Sequence, residues 1–199
     1  CFGYKLSEIS LSSEPNYVFT LDRAPNFAPH SNSVSFGAEF YEEGDEFPLL
    51  YSNVYNNFAK NENDMRGYTF VYRIVKNGEE FTSKLIQIIK IGFTDDSVWK
   101  SSVSDVRPYG NFAIDVDNLN YYAFTMRDES QTTNYFKFNL PKFTDGEFDK
   151  TLNVNVVALN KNDILKEFDL RNSELIAIRF TIPDIPLDTL HPQLRKTSQ

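Results

Sequence analysis

Residues 111–126 constrain the fold more than any other stretch of this chain. Asn111-Phe-Ala-Ile-Asp-Val is followed by Asp117-Asn-Leu-Asn and then by Tyr121-Tyr-Ala-Phe-Thr-Met. Phe112, Ile114 and Val116 alternate with Ala113 and Asp115, and Tyr122, Phe124 and Met126 alternate again. A period of two puts successive side chains on opposite faces of an extended backbone. Each run is therefore expected to be a strand with one apolar face, and the Asp/Asn cluster between them a turn. A similar unit from Ser33 to Tyr55 precedes it, which makes repeated antiparallel sheet the expected architecture.

Composition points the same way. The chain has 199 residues, 41% of them hydrophobic, with 18 Phe and 11 Tyr. That is enough apolar material for a substantial core, and aromatic residues favour pleated, half-buried surfaces. The formal charge of -8 opposes binding to nucleic acid or to an anionic lipid surface, because both need a basic face. No apolar run approaches the roughly 20 residues needed to span a bilayer, so membrane insertion is not expected. A lone Cys1 excludes an intrachain disulfide and any multi-cysteine metal site. Its place at the first position fits an acylated lipoprotein start, but Phe2-Gly-Tyr-Lys-Leu-Ser-Glu-Ile already alternates like a strand, so a lipid anchor there is the minor reading.

Further strands are expected at Tyr17–Leu21, Pro48–Tyr55, Tyr68–Val75, Phe81–Ile91 and Thr133–Leu140. A last strand falls at Leu152–Leu159 or near Ile164–Leu170. Asn77-Gly78 is the dipeptide best suited to the positive φ angles of a tight hairpin, and so should join two of them. Helix should be scarce, with 163–170 expected as strand rather than as a helical turn. The whole of 1–199 is expected to be a single all-β domain, with two four-stranded meanders at 31–91 and 111–170 and closing strands from 1–22 and 175–183.

The run Ala113-Ile-Asp-Val-Asp-Asn-Leu-Asn-Tyr-Tyr-Ala-Phe-Thr resembles the inner hairpin of a blade in NHL-type β-propellers. His30-Ser-Asn-Ser-Val-Ser-Phe-Gly, Phe47-Pro-Leu-Leu-Tyr and Tyr72-Arg-Ile are similar to segments of uncharacterised secreted or periplasmic bacterial propeller domains. The resemblance spans about residues 15–170 and implies an extracytoplasmic propeller-like domain. Propellers have about four to eight blades, and only two complete units are visible here, so an incomplete propeller or a two-sheet sandwich or jelly roll fits the same strands.

No motif commits the chain to chemistry. There is no Gly-x-Ser-x-Gly, no phosphate-cradling glycine loop and no His-Glu-x-x-His, and His30 and His191 are the only imidazoles. Asp115, Asp117, Asn118 and Asn120 imitate the start of a calcium loop, but Leu119 sits where an oxygen is needed, so a turn is expected. Glu42, Glu43, Asp45 and Glu46 are expected to form a solvated loop. Trp99, in a polar connection with Asp105, Arg107 and Tyr109, has the ingredients of sugar recognition: a ring platform and polar groups for hydroxyls. The expectation is a non-enzymatic binding domain without metal or cofactor, recognising a protein or glycan through His30, Asn32, Trp99, Arg107 and Tyr109. A carbohydrate-binding sandwich module, or a propeller hydrolase or lyase using His30 with Asp105 or Asp115, are the alternatives.

Overall fold

A computed structural model of the protein describes residues 1–4, 7, 10, 14–25, 29–57, 68–91, 111–126 and 133–169. Its strands are β1 (Phe2–Gly3), β2 (Tyr17–Val18), β3 (Pro29–Phe36), β4 (Leu50–Asn57), β5 (Tyr68–Asn77), β6 (Glu80–Ile91), β7 (Asn111–Asp115), β8 (Asn120–Met126), β9 (Thr133–Asn139), β10 (Glu147–Asp149), β11 (Val154–Leu159) and β12 (Lys166–Asp169). Among the described residues the one helical element is a 3-10 turn at Lys161–Asp163, so the protein is all-β.

The strands form a two-stranded ribbon, β1-β2, and two open sheets with orders β10-β11-β6-β5-β4-β3 and β12-β9-β8-β7. β3 to β6 run as one antiparallel meander, and β7 to β9 as another. The chain then leaves the second sheet. The β10–β11 hairpin adds to the first sheet, with β11 parallel to β6 from Asn155↔Gln87 to Leu159↔Ile91. It returns as β12, antiparallel to β9. Of the two segments expected to end the second series, 166–169 pairs with β9, and Val154–Leu159 belongs to the other sheet. Residues 175–183 lie outside the described residues.

One core joins the two large sheets. From the six-stranded sheet come Leu49, Tyr51, Val71, Ile89, Ile91 and Leu159; from the four-stranded sheet come Phe112, Tyr121, Ala123, Phe136 and Phe138. The ladders stack Phe112, Ala123 and Phe136 in one row and Ile114, Tyr121 and Phe138 in the next, so the inner face of the four-stranded sheet is largely aromatic. Thr69 and Tyr121 hydrogen-bond across the layers at 2.8 Å through their hydroxyls. Burial, slightly offset by that bond, pushes the Tyr121 phenol up to about 12.

The opposite face of the six-stranded sheet carries a second cluster that includes Leu50, Val54, Phe70, Tyr72, Ile74, Leu85, Ile88 and Val154. Ala24, Phe19, Leu21 and Phe47 cover part of it. The covering segment is tied down by Asp22, whose Oδ2 accepts the Leu85 N–H at 3.0 Å and whose N–H donates to Ser83 Oγ at 2.7 Å.

Two turns differ from expectation by one residue. Asn77 is the last paired residue of β5, opposite Glu80, so the central residues are Gly78 and Glu79. Gly78, at the first central position, takes the positive φ of 62°. The β7–β8 turn is Val116–Leu119, closed by the pair Asp115↔Asn120. In β8, Tyr121 and Ala123 share the core face with their partners Ile114 and Phe112, so the buried face includes Tyr121 rather than, as expected, Tyr122.

Candidate functional site

The site begins with an irregularity in β6. Tyr72 pairs with Leu85, but Val71 pairs with Gln87, which leaves Ile86 as an extra residue in a β-bulge. Bulges bend a strand and re-aim its side chains, and they occur often beside binding sites. On its other edge β6 meets β11 only from Gln87 onward. Where the two strands part, a cleft of about 370 Å³ opens over Lys84, Leu85 and Ile86.

Its walls come from two loops distant in sequence. One is 141–148, whose turn is closed by the Asp145 N–H on Lys142 O at 2.9 Å and the Lys142 N–H on Asp145 Oδ2 at 2.9 Å. The fully buried Gln87 anchors this turn from below, its side-chain amide donating to Lys142 O at 2.7 Å and to Asp145 O at 3.1 Å. The turn brings Phe143 and Thr144 to one wall and leads into Phe148, which is 58% exposed.

The other loop is 39–47. Glu39 Oε2 accepts the Phe143 N–H at 3.2 Å, and the Tyr41 and Phe143 rings lie 5.2 Å apart. Behind Tyr41 stands Arg73, its guanidinium carbon 4.9 Å from the ring centroid. Arg73 Nε contacts both Asp45 oxygens at 3.1 Å, Nη2 contacts Oδ1 at 2.6 Å, and Nη2 also bonds Glu42. The hydrogen bond to Asp45 is the largest cause raising the Arg73 pKa above an already high value. Lys76 pairs with Glu46 at 3.4 Å. The acidic stretch expected to be a solvated loop is thus partly latched to the sheet: Asp45 is 8% exposed and Glu42 57%.

The far side of the cleft is the β10–β11 hairpin, which presents Asn153, Val154 and Asn155. Asp149 Oδ1 fixes its turn by accepting the N–H groups of Thr151 at 2.8 Å and Leu152 at 3.1 Å. The assembled cleft offers ring faces, two amides, a threonine hydroxyl and an ammonium, a set that can stack on an apolar ring and hydrogen-bond its polar rim. A broader depression of about 680 Å³ lies between 18–23 and 81–83. Its Asp22 and Ser83 are already engaged with each other's backbone or side chain and with Leu85 and Thr20, holding the covering segment down.

The residues suggested by the sequence for binding or chemistry are a different set from the described residues that line the cleft. Trp99, Asp105, Arg107, Tyr109 and His191 lie outside the described residues. His30 and Asn32 have backbones in β3, at an edge of the six-stranded sheet, and the ladder is irregular between His30 and Val34; their side chains are not among those described. Asp115 serves the β7–β8 turn, accepting from the Asn118 N–H at 3.0 Å and from the Asn118 and Asn120 amides at 2.8 and 3.4 Å. Those bonds, led by the Asn118 side chain, hold its carboxyl below the ordinary carboxylate range. Among the described residues no group of three or more His, Cys, Asp or Glu converges as a metal site. The cleft residues escaped sequence reading because the bulge and the β11 crossover that bring them together leave no local pattern. The chain matches no known family model, no curated protein and no solved structure.

Proposed function

We propose that the protein is a non-enzymatic binding domain of two-sheet sandwich type that holds a glycan in the cleft beside the β6 bulge. The observation that carries this reading is the convergence of Tyr41, Phe143 and Phe148 with Asn153 and Asn155 around one opening. Sugar rings present apolar C–H faces that stack on aromatic side chains, and hydroxyl rims that amides satisfy in pairs. The sandwich reading is supported by the single aromatic core shared by the large sheets, and by a hairpin from the second series that completes the first sheet. Neighbouring propeller blades would each keep four strands to themselves.

Titration with a panel of soluble oligosaccharides, followed by calorimetry, tests the function. Phe148→Ala is expected to weaken binding about tenfold with little change in thermal stability, since the ring is exposed. If Trp99→Ala abolishes binding and Phe148→Ala does not, the ligand sits instead at the 93–110 connection that the sequence singled out. If no oligosaccharide binds, the glycan reading falls. Small-angle scattering tests the architecture, because a toroid with a central channel and a two-layer slab give different distance distributions.

A further inference from the structure

Resting on the glycan reading of the cleft, we infer that its ligand presents a carboxylate to Lys84, as a uronic-acid-type sugar does. The reason lies in the ladder. Arg73 and Lys84 are directly opposite each other on β5 and β6, so their side chains leave the sheet on the same face. Like charges in that relation repel and destabilise the pair. Arg73 is relieved by Asp45 and Glu42 and by the ring of Tyr41. The Lys84 ammonium, at the cleft, has neither an ion pair nor a side-chain hydrogen bond among the described residues.

The carboxylates of the loops around the cleft are bonded within those loops. Glu39 holds the Phe143 N–H, Asp145 the Lys142 N–H, and Asp149 the N–H groups of Thr151 and Leu152. Each is engaged in fixing the loop that carries it. Among the described residues the cleft therefore holds a lysine ammonium without an ion-pair partner. A ligand carboxylate placed there gains a charge-assisted hydrogen bond from the Lys84 ammonium. With a ring stacked on the aromatic wall, the anion supplies the selectivity and the ring face the common affinity.

The test compares tri-galacturonate with its carboxyl-reduced neutral counterpart, by calorimetry at low and at physiological salt, on the full chain. The acidic sugar is expected to bind about fivefold to tenfold more tightly than the neutral one, the gap narrowing as salt rises. Lys84→Gln should erase the gap between the two sugars, while Phe148→Ala weakens both alike and leaves the gap in place. Lys84 is exposed, so Lys84→Gln is expected to fold with an unchanged melting temperature. Equal affinity for the two sugars, or an acid preference that survives Lys84→Gln, overturns the inference and leaves the glycan reading standing. Binding of neither trisaccharide also overturns it, and the wider oligosaccharide panel then decides whether that reading falls with it.

Discussion

The two large sheets draw on similar residues, yet the middle strands of the six-stranded sheet are buried on both faces and the four-stranded sheet mainly on one. In β4 every residue from Leu50 to Asn53 is buried, with Val54 following, and in β5 the same holds from Thr69 to Tyr72. In β8 and β9 buried and half-buried residues alternate: Tyr121, Ala123, Phe136 and Phe138 point in, and Tyr122 and Lys137 point out. A doubly covered strand must still satisfy whatever polar side chains it carries. Ser52, Asn53, Thr69 and Gln87 are buried polar residues of the six-stranded sheet, and each reaches toward a different neighbour. Ser52 bonds Ser31, Asn53 accepts from Ser33, Thr69 bonds Tyr121, and Gln87 bonds the 142–145 turn. Thr69 and Gln87 therefore select what packs against the central sheet, while Ser52 and Asn53 tie β4 to its neighbour β3, and in Gln87 that selection builds the cleft wall.

The largest effects should come from emptying the two cores. Phe70 lies at 0% exposure on one face of the six-stranded sheet, and Phe138 at 0% in the core between the sheets. Phe70→Ala and Phe138→Ala are each expected to cost about 3–5 kcal/mol in denaturant unfolding. Tyr122→Ala, on the outer face of β8, should cost about 1 kcal/mol or less. If Phe70→Ala is as mild as Tyr122→Ala, the central sheet is not covered on both sides.

Next comes the turn through which the chain passes from one sheet to the other. Gly146 has a φ of 97°, and a Cβ there would lie 2.5 Å from the carbonyl oxygen of Val156. Gly146→Ala combines backbone strain with a clash against a strand that cannot shift freely, an expected loss of about 3 kcal/mol. Gly44 has a similar φ of 93° but open space around its would-be Cβ, so Gly44→Ala should lose less. Equal losses would mean that strain alone operates at both sites.

Sequence made the four-stranded sheet more legible than the six-stranded one, for the same physical reason. Strict alternation marks a strand with one dry face, and Phe136-Lys-Phe138 shows it plainly. In β5, the row Thr69, Val71, Arg73 looks like the wet face opposite Tyr68, Phe70, Tyr72 and Ile74. In the fold that row is the inter-sheet face: Thr69 bonds Tyr121, Val71 joins the core, and Arg73 latches the acidic loop at the rim. Nor does anything in Val154–Leu159 declare that its partner is β6 rather than β9, because pairing across sheets is decided by which edge is free. The cleft depends on that choice and on the Ile86 bulge, so neither Phe148 nor Lys84 could be singled out beforehand.

The Thr69–Tyr121 bond tests whether polar selection matters energetically. Thr69→Val keeps the shape and strands the Tyr121 hydroxyl, an expected loss of about 1–3 kcal/mol. The double variant Thr69→Val/Tyr121→Phe should recover most of it, since both partners are then apolar. Tyr121 also makes an alkaline prediction. Its folded pKa is raised, so the stabilisation it gives is complete below its ordinary value of 10.0 and is lost as pH rises toward about 12. Tyr121→Phe should flatten that limb of the stability–pH curve.

The smallest effects lie at the hairpin tips, one on each sheet. Asp115↔Asn120 and Asp149↔Val154 each close over four residues, and the fourth is left-handed in both: Leu119 at φ 52° and Asn153 at φ 56°. Asn tolerates that region and Leu does not. Leu119→Asn is therefore expected to stabilise the protein by about 0.5–1 kcal/mol, and Asn153→Leu to destabilise it by a similar amount. The two tips also share a carboxylate that accepts loop N–H groups, and at Asp115 neighbouring amides add to it and lower its pKa. A depressed carboxylate stabilises the fold fully above its ordinary titration range and loses that contribution as pH falls through the folded value. Melting temperatures recorded downward from about pH 5 should thus fall less steeply for Asp115→Asn than for the parent chain. An unchanged slope would mean that the turn is held by its backbone geometry alone, with the Asp115 charge incidental to it.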